Sequence, residues 1–137
     1  MKIDMQKTRS DYDAPICVDK WGWKYHHLGI PTKLKMPNEK YIAHFKFYVS
    51  GFCTSPFGIE WMRFESDSPF DKLIQNIPHI AFEVKDLDYE FSNRNLKFIV
   101  APNSPADGIR VAMIKHNGAP IELIEFSIKE KLPSANM

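Results

Sequence analysis

Residues 77–84 read "IPHIAFEV" and residues 25–32 read "YHHLGIPT". Laid over one another, they place His79 on His27, Ile80 on Leu28, Ala81 on Gly29 and Phe82 on Ile30. A second pair matches in the same order. "FGIEWMRF" at 57–64 lies over "APIELIEF" at 119–126, with Ile59 on Ile121, Glu60 on Glu122 and Phe64 on Phe126. Short apolar stretches match by chance, but two in order, each setting a metal-ligand residue type on its like, indicate two copies of one module.

The copies differ on the C-terminal side of the histidine strand. After "IPHIAFEV" comes "KDLDYEFSNRNLK", which reads as an amphipathic helix over 86–97, with Asp86 as cap and Leu87 and Phe91 on one face. After "YHHLGIPT" there is only "KLKMPNEK" with Pro31 and Pro37 nearby, too little for a full helix. Extended runs are predicted over 21–32, 41–52, 57–65 and 78–84, then in "FIVAP", "IRVAMIKHNG" and "APIELIEF". Between the modules, "SDSPFDKLIQNI" carries helix-start chemistry, with Ser68 as cap and Pro69 at the first helical position. Many strands and few helices favour an α+β fold with a mostly antiparallel sheet. The predicted organisation is an N-terminal arm (1–20), one domain of two modules (21–66 and 77–127 within 21–127) and a polar, frayed tail (128–137).

The 137 residues fit one compact domain. Eighteen basic residues against 17 acidic ones, without a basic stripe, argue against nucleic acid as a partner. No apolar stretch approaches the roughly 20 residues of a bilayer span, and the polar N-terminus is not a secretory signal. Cys17 and Cys53 are isolated, as expected of reduced thiols in a cytoplasmic protein.

His27, Glu60, His79 and Glu122 form a plausible ligand set for a divalent metal. Imidazole with carboxylate suits zinc, nickel, cobalt, manganese or ferrous iron. Four ligands on a six-coordinate ion leave two positions for water or substrate. Strand alternation puts Trp21, Trp23, Tyr25 and Gly29 on the face of His27, and His26 on the reverse. His44, Lys46 and Arg110 are candidates to reach a substrate, Arg110 by bidentate hydrogen bonds to a carboxylate; the plainer reading makes all three surface residues. His116 is expected in an exposed turn.

"HHLGIP", "GIEWMRFESDSP", "PHIAFEVKDLD" and "GAPIELIEF" resemble the motifs of the vicinal oxygen chelate superfamily, which includes glyoxalase I, bleomycin-resistance proteins, extradiol dioxygenases and methylmalonyl-CoA epimerase. The resemblance runs from Tyr25 to Phe126. It implies paired βαβββ modules whose strands curl into a cup around a metal, here with the first module's helix shortened or missing. It implies His27, Glu60, His79 and Glu122 as metal ligands, and Glu122 as the catalytic base. It also implies a homodimer. The chain lacks the basic cluster that grips glutathione carboxylates, so it departs from glyoxalase I itself. The function implied is a metal-dependent lyase, isomerase or epimerase chelating vicinal oxygens of a small molecule. The alternatives are a metal-free binding protein of the resistance type and a ring-cleaving dioxygenase, the latter disfavoured by the second carboxylate, Glu60.

Overall fold

The computed structural model describes residues 9–127, so the expected frayed tail and the first part of the arm lie outside the described residues. The elements in chain order are α1 (Ile16–Asp19), β1 (Lys24–Pro31), β2 (Lys40–Ile42), β3 (Phe47–Ser50), a 3₁₀ turn (Phe52–Thr54) and β4 (Ile59–Phe64). They continue with α2 (Lys72–Asn76), β5 (His79–Glu83), α3 (Leu87–Asn93), β6 (Phe98–Ala106), β7 (Ile109–His116) and β8 (Ala119–Phe126). Among the described residues, no helix is long and apolar enough to cross a membrane.

All eight strands form one curled mixed sheet in the order β2-β3-β4-β1-β5-β8-β7-β6. The repeat in the sequence becomes a repeat in space. Each histidine strand pairs in parallel with the last strand of its own half, β1 with β4 and β5 with β8, while β1 and β5 join the halves antiparallel. This is the expected α+β cup of paired βαβββ modules, with no helix between β1 and β2.

Two apolar clusters lie on opposite faces of the sheet. On the outer face, Trp23, Phe82, Val84, Leu87, Ala112, Ile114 and Leu123 pack beneath α3, and Cys17 of α1 and Trp21 fold against them. Burying a side chain such as Leu123, which has no exposed surface, contributes about 1.5–3 kcal/mol. On the inner face, Phe47, Met62, Ile74 and Met113 form the second cluster, joined by Phe45, Phe64 and Phe70.

Three local expectations are corrected. The run 41–52 is not one strand but a hairpin, whose turn is completed by Lys46 in the left-handed region at φ 52°. Its composition hides the turn, which is held from outside by Lys46 Nζ on Asp67 (2.7 Å) and by Glu65 N donating to the Lys46 carbonyl (3.1 Å). Helix α2 begins after Asp71, whose carboxylate accepts from Leu73 N at 2.8 Å, rather than at Ser68. The Ser68 hydroxyl is engaged elsewhere, donating to the Phe45 carbonyl and accepting from Phe70 N. Helix α3 is capped by Asp86 as predicted, but it stops at Asn93 because Asn95 adopts φ 55°, a left-handed helix stop.

β1 holds the decisive irregularity. Tyr25 pairs with Phe82 but His27 pairs with Ala81, so His26 is one extra residue, a β-bulge. The bulge reverses the alternation across it. Trp23 lies in the outer cluster with Phe82, not on the face of His27. The chain before β4 approaches the bulge closely: Gly58, at φ 74°, sits where a Cβ would come within 2.9 Å of the His26 carbonyl oxygen. Leu28 N donates to the Gly58 carbonyl at 2.8 Å, locking the contact.

Candidate metal centre and adjoining cavity

The register of the four central strands gathers the polar residues on the inner face. Gly29 of β1 lies between Glu60 of β4 and His79 of β5. One step along, Ala81 of β5 lies between His27 of β1 and Glu122 of β8. Each rung is therefore carboxylate, small residue, imidazole. The small residues make room for the rings: a Cβ on Gly29 would stand 2.3 Å from His79 Cε1. The match of Gly29 with Ala81 in the repeat thus has a physical reason.

The functional atoms converge. His79 Nε2 lies 2.9 Å from Glu122 Oε1 in a hydrogen bond, and His27 Nε2 lies 3.2 Å from the same oxygen. His27, His79 and Glu122 each offer one ligand atom, all within 4.8 Å of one another, and so form a group that can hold a metal ion. Glu60 stands at the margin, with Oε1 3.6 Å from His27 Nε2.

Charge balance within the group is tight. Burial works to raise the Glu122 pKa, but hydrogen bonds and charge interactions with His27 and His79 outweigh it and hold the carboxyl at about 2. Burial works to lower His27, yet the adjacent carboxylates of Glu122 and Glu60 carry its pKa above the ordinary value. Glu60 is shifted upward, chiefly by burial, with the charge of Glu122 adding to it and the histidines opposing.

The donor set fits a divalent transition metal. The ring nitrogen directed at the group supports that fit, because His27 Nε2, 3.2 Å from Glu122 Oε1, is buried without a well-formed hydrogen bond. His27 is oriented from behind. Its Nδ1 lies 2.8 Å from His26 Nδ1, and the His26 ring stacks on Phe52 (5.0 Å between centroids) and leans on Phe126 (5.6 Å). His26 is therefore on the side of the site and not on the reverse of the sheet. A partner on the far nitrogen of a ligating imidazole fixes its tautomer and orientation.

Beside the group lies a cavity of about 180 Å³, with His79, Glu60 and Glu122 in its wall. The remaining lining is apolar, including Phe47, Val49, Met62, Val111 and Met113, apart from Asn103 on β6. The other expected substrate residues are elsewhere. His44 sits exposed in the β2–β3 turn with its ring against Phe45. Arg110 lies 3.3 Å from Asp88 and 3.7 Å from Glu125, and Glu125 in turn accepts from Leu87 N, so Arg110 helps fasten α3 to the outer face. Neither lines the cavity. His116 is exposed at the end of β7, before the Asn117–Gly118 turn. His26 and Asn103 were not singled out from sequence as members of the site. The doubled histidine was a signal for the first, and nothing in "APNSPAD" marks the second.

No family model matches the chain, and no curated protein matches it by sequence. Solved structures share its fold. A hypothetical protein from Bacillus halodurans superposes with a TM-score of 0.60 at 20% identity, covering 79% of this chain and 97% of that one. Methylmalonyl-CoA epimerase from Mycobacterium tuberculosis gives 0.51 at 18% identity, covering 82% and 92%. A variant of the Streptomyces coelicolor methylmalonyl-CoA epimerase in complex with 2-nitronate-propionyl-CoA gives 0.51 at 16% identity, covering 78% and 96%. This chain thus has a fold seen in methylmalonyl-CoA epimerase.

Proposed function

We propose that the chain is a metal-dependent enzyme of isomerase, epimerase or lyase type, acting on a small molecule that presents adjacent oxygens. The observation that carries this reading is the meeting of His27 Nε2, His79 Nε2 and Glu122 Oε1, from three strands, at the wall of a largely apolar cavity. These three residues would hold a zinc, nickel, cobalt, manganese or ferrous ion, with Glu60 beside them. When bound, the ion polarises a carbonyl or enolate oxygen as a Lewis acid.

The protein's own groups supply the rest. The apolar walls give the reacting atoms surroundings of low polarity, which strengthens charge interactions there. Glu122, with one oxygen shared by two imidazoles, is committed to the group. Glu60 borders the cavity at the margin of that cluster, so it is the carboxylate placed to accept and return a substrate proton. This divides between two glutamates the ligand and base roles that the family resemblance gave jointly to Glu122.

Metal analysis of protein purified without chelators tests the reading. About one divalent ion per chain is expected, as is its loss in His79→Ala. Protein that carries no metal, takes up none on titration with zinc and melts at the same temperature with and without it would falsify the proposal.

One observation favours a second reading. Two histidines and one carboxylate in the tight group, with Glu60 outside it, are also the donor set of non-haem ferrous oxygenases. Oxygen consumption by the ferrous protein with a catechol discriminates. Uptake matched to ring cleavage selects the dioxygenase, and none selects the isomerase or lyase.

A further inference from the structure

The cavity itself constrains what can bind. Its volume of about 180 Å³ slightly exceeds that of an apolar protein cavity of about 150 Å³ that accepts benzene. Among the described residues, its walls carry no lysine or arginine. The nearby cations are held outside by acidic partners, Arg63 by Glu39, Lys46 by Asp67 and Arg110 by Asp88. Away from the three ligand residues, a carboxylate set against these walls would lose its water and find no cation to pair with.

One polar atom in the wall is unassigned. Asn103 donates its Nδ2 to the Ala101 carbonyl at 3.0 Å, which orients the amide and leaves Oδ1 buried without a partner. A buried acceptor left unpaired is costly, and a hydrogen-bond donor on a ligand would satisfy it.

We infer that the cavity takes an uncharged molecule whose adjacent oxygens face His27, His79 and Glu122. Its apolar body is about the size of a six-membered ring, with one hydroxyl or N–H directed at Asn103 Oδ1. This inference rests on the metal reading above and names the substrate class for it. Selectivity follows from what the walls lack as well as from what they offer: a charged group set against the apolar walls finds no cation there, and a body smaller than the cavity leaves apolar wall uncovered.

Hydroxamates carry two adjacent oxygens and probe this directly. Zinc-loaded protein is titrated calorimetrically with acetohydroxamate, benzohydroxamate, 4-carboxybenzohydroxamate and the 3- and 4-hydroxybenzohydroxamates. Benzohydroxamate is expected to bind at least tenfold tighter than acetohydroxamate, and the 4-carboxy compound at least tenfold weaker than benzohydroxamate. At least one hydroxy compound is expected to gain threefold or more over benzohydroxamate. Asn103→Leu should abolish that gain, read within the variant as the ratio of hydroxy-compound to benzohydroxamate affinity, and Asn103→Ala serves as a second variant without the acceptor. Equal binding of all the hydroxamates overturns the substrate class but leaves the metal reading standing. A hydroxy advantage that persists in both variants removes Asn103 from the inference. Failure of the protein to take zinc overturns the metal reading and this inference together.

Discussion

His26 Nδ1 and His27 Nδ1 lie 2.8 Å apart, so adjacent residues of one strand hydrogen-bond through rings that regular alternation would send to opposite faces. The bulge at His26 makes this possible. One of the two nitrogens must donate. If His27 presents a bare Nε2 to a metal, its proton resides on Nδ1 and His26 is the acceptor.

His26 is therefore expected to hold His27 in the ligating tautomer. His26→Phe keeps a ring against Phe52 and Phe126 but removes the acceptor, and zinc affinity should fall by about 10–100-fold. His26→Asn, which restores an acceptor near the same place, should recover part of the loss. Competition with a chromophoric chelator gives the affinities, and ¹⁵N spectra of metal-free protein report the His27 tautomer. An unchanged tautomer and affinity in His26→Phe would reduce His26 to a packing residue.

Gly29 gives a second prediction. Its missing side chain is the space occupied by the His79 ring, and a Cβ at this position would come within 2.3 Å of His79 Cε1. Gly29→Ala should displace that ring and destabilise the fold by about 1–3 kcal/mol, as overpacking does. It should also weaken metal binding. Ala81→Gly, on the equivalent rung, adds no atoms and should leave metal affinity unchanged despite some loss of strand stability. Denaturant melts and chelator competition on both variants check the contrast, and a metal affinity unaffected by Gly29→Ala counts against the rung geometry.

Much of this arrangement was legible in the sequence because it repeats. Two histidine strands and two glutamate strands in the same order specified both the symmetry of the sheet and the rungs that cross it. Strand β7 and strand β8 lie within the expected runs. What alternation could not foresee was the bulge, since a single extra residue reverses every side chain beyond it. That one event moved His26 toward the site and Trp23 away from it. The β2–β3 turn was hidden for a different reason: "AHFK" has no glycine, proline or asparagine, and long-range contacts from Asp67 and Glu65 impose its shape. The sequence alone leaves Arg110 between substrate contact and surface, because a strand arginine aimed at substrate and one tethering a helix look alike; in the structure it pairs with Asp88.

Acid sensitivity offers a prediction away from the site. Glu39 accepts two hydrogen bonds from Arg63, at 2.7 and 2.8 Å, which tie the segment after β1 to β4. The Arg63 hydrogen bonds hold the Glu39 carboxyl at about 2, below its ordinary value of 4.5. A depressed folded-state pKa means stability that is present above about 4.5 and lost as pH falls toward about 2. Metal-free protein should therefore lose melting temperature across that window, and Glu39→Gln should reduce the loss. The effect is modest for a pair near solvent. Identical pH profiles for the two proteins would show that Arg63 gains nothing from the charge.

The two glutamates of the centre separate most clearly by variant. Glu122 contacts both imidazoles through one oxygen, whereas Glu60 approaches His27 alone at 3.6 Å and borders the cavity. Glu122→Gln removes a charged ligand from the tight group, so zinc affinity should fall by at least tenfold. Glu60→Gln should keep zinc within about threefold, as expected for a residue outside the group. The same variant should lose proton transfer. With α-hydroxyacetophenone (PhCOCH2OH) in deuterated water, the zinc-loaded protein is expected to exchange the hydrogens of the hydroxyl-bearing carbon next to the carbonyl, and Glu60→Gln is expected to slow exchange by a factor on the order of 100, the lower range for a general base. Proton magnetic resonance follows the exchange, and chelator competition follows the metal. If Glu60→Gln loses metal as severely as Glu122→Gln, all four residues are ligands and the base must be sought elsewhere. If it keeps both metal and exchange, Glu60 is neither ligand nor base, and its place in the wall reflects only the symmetry of the repeat.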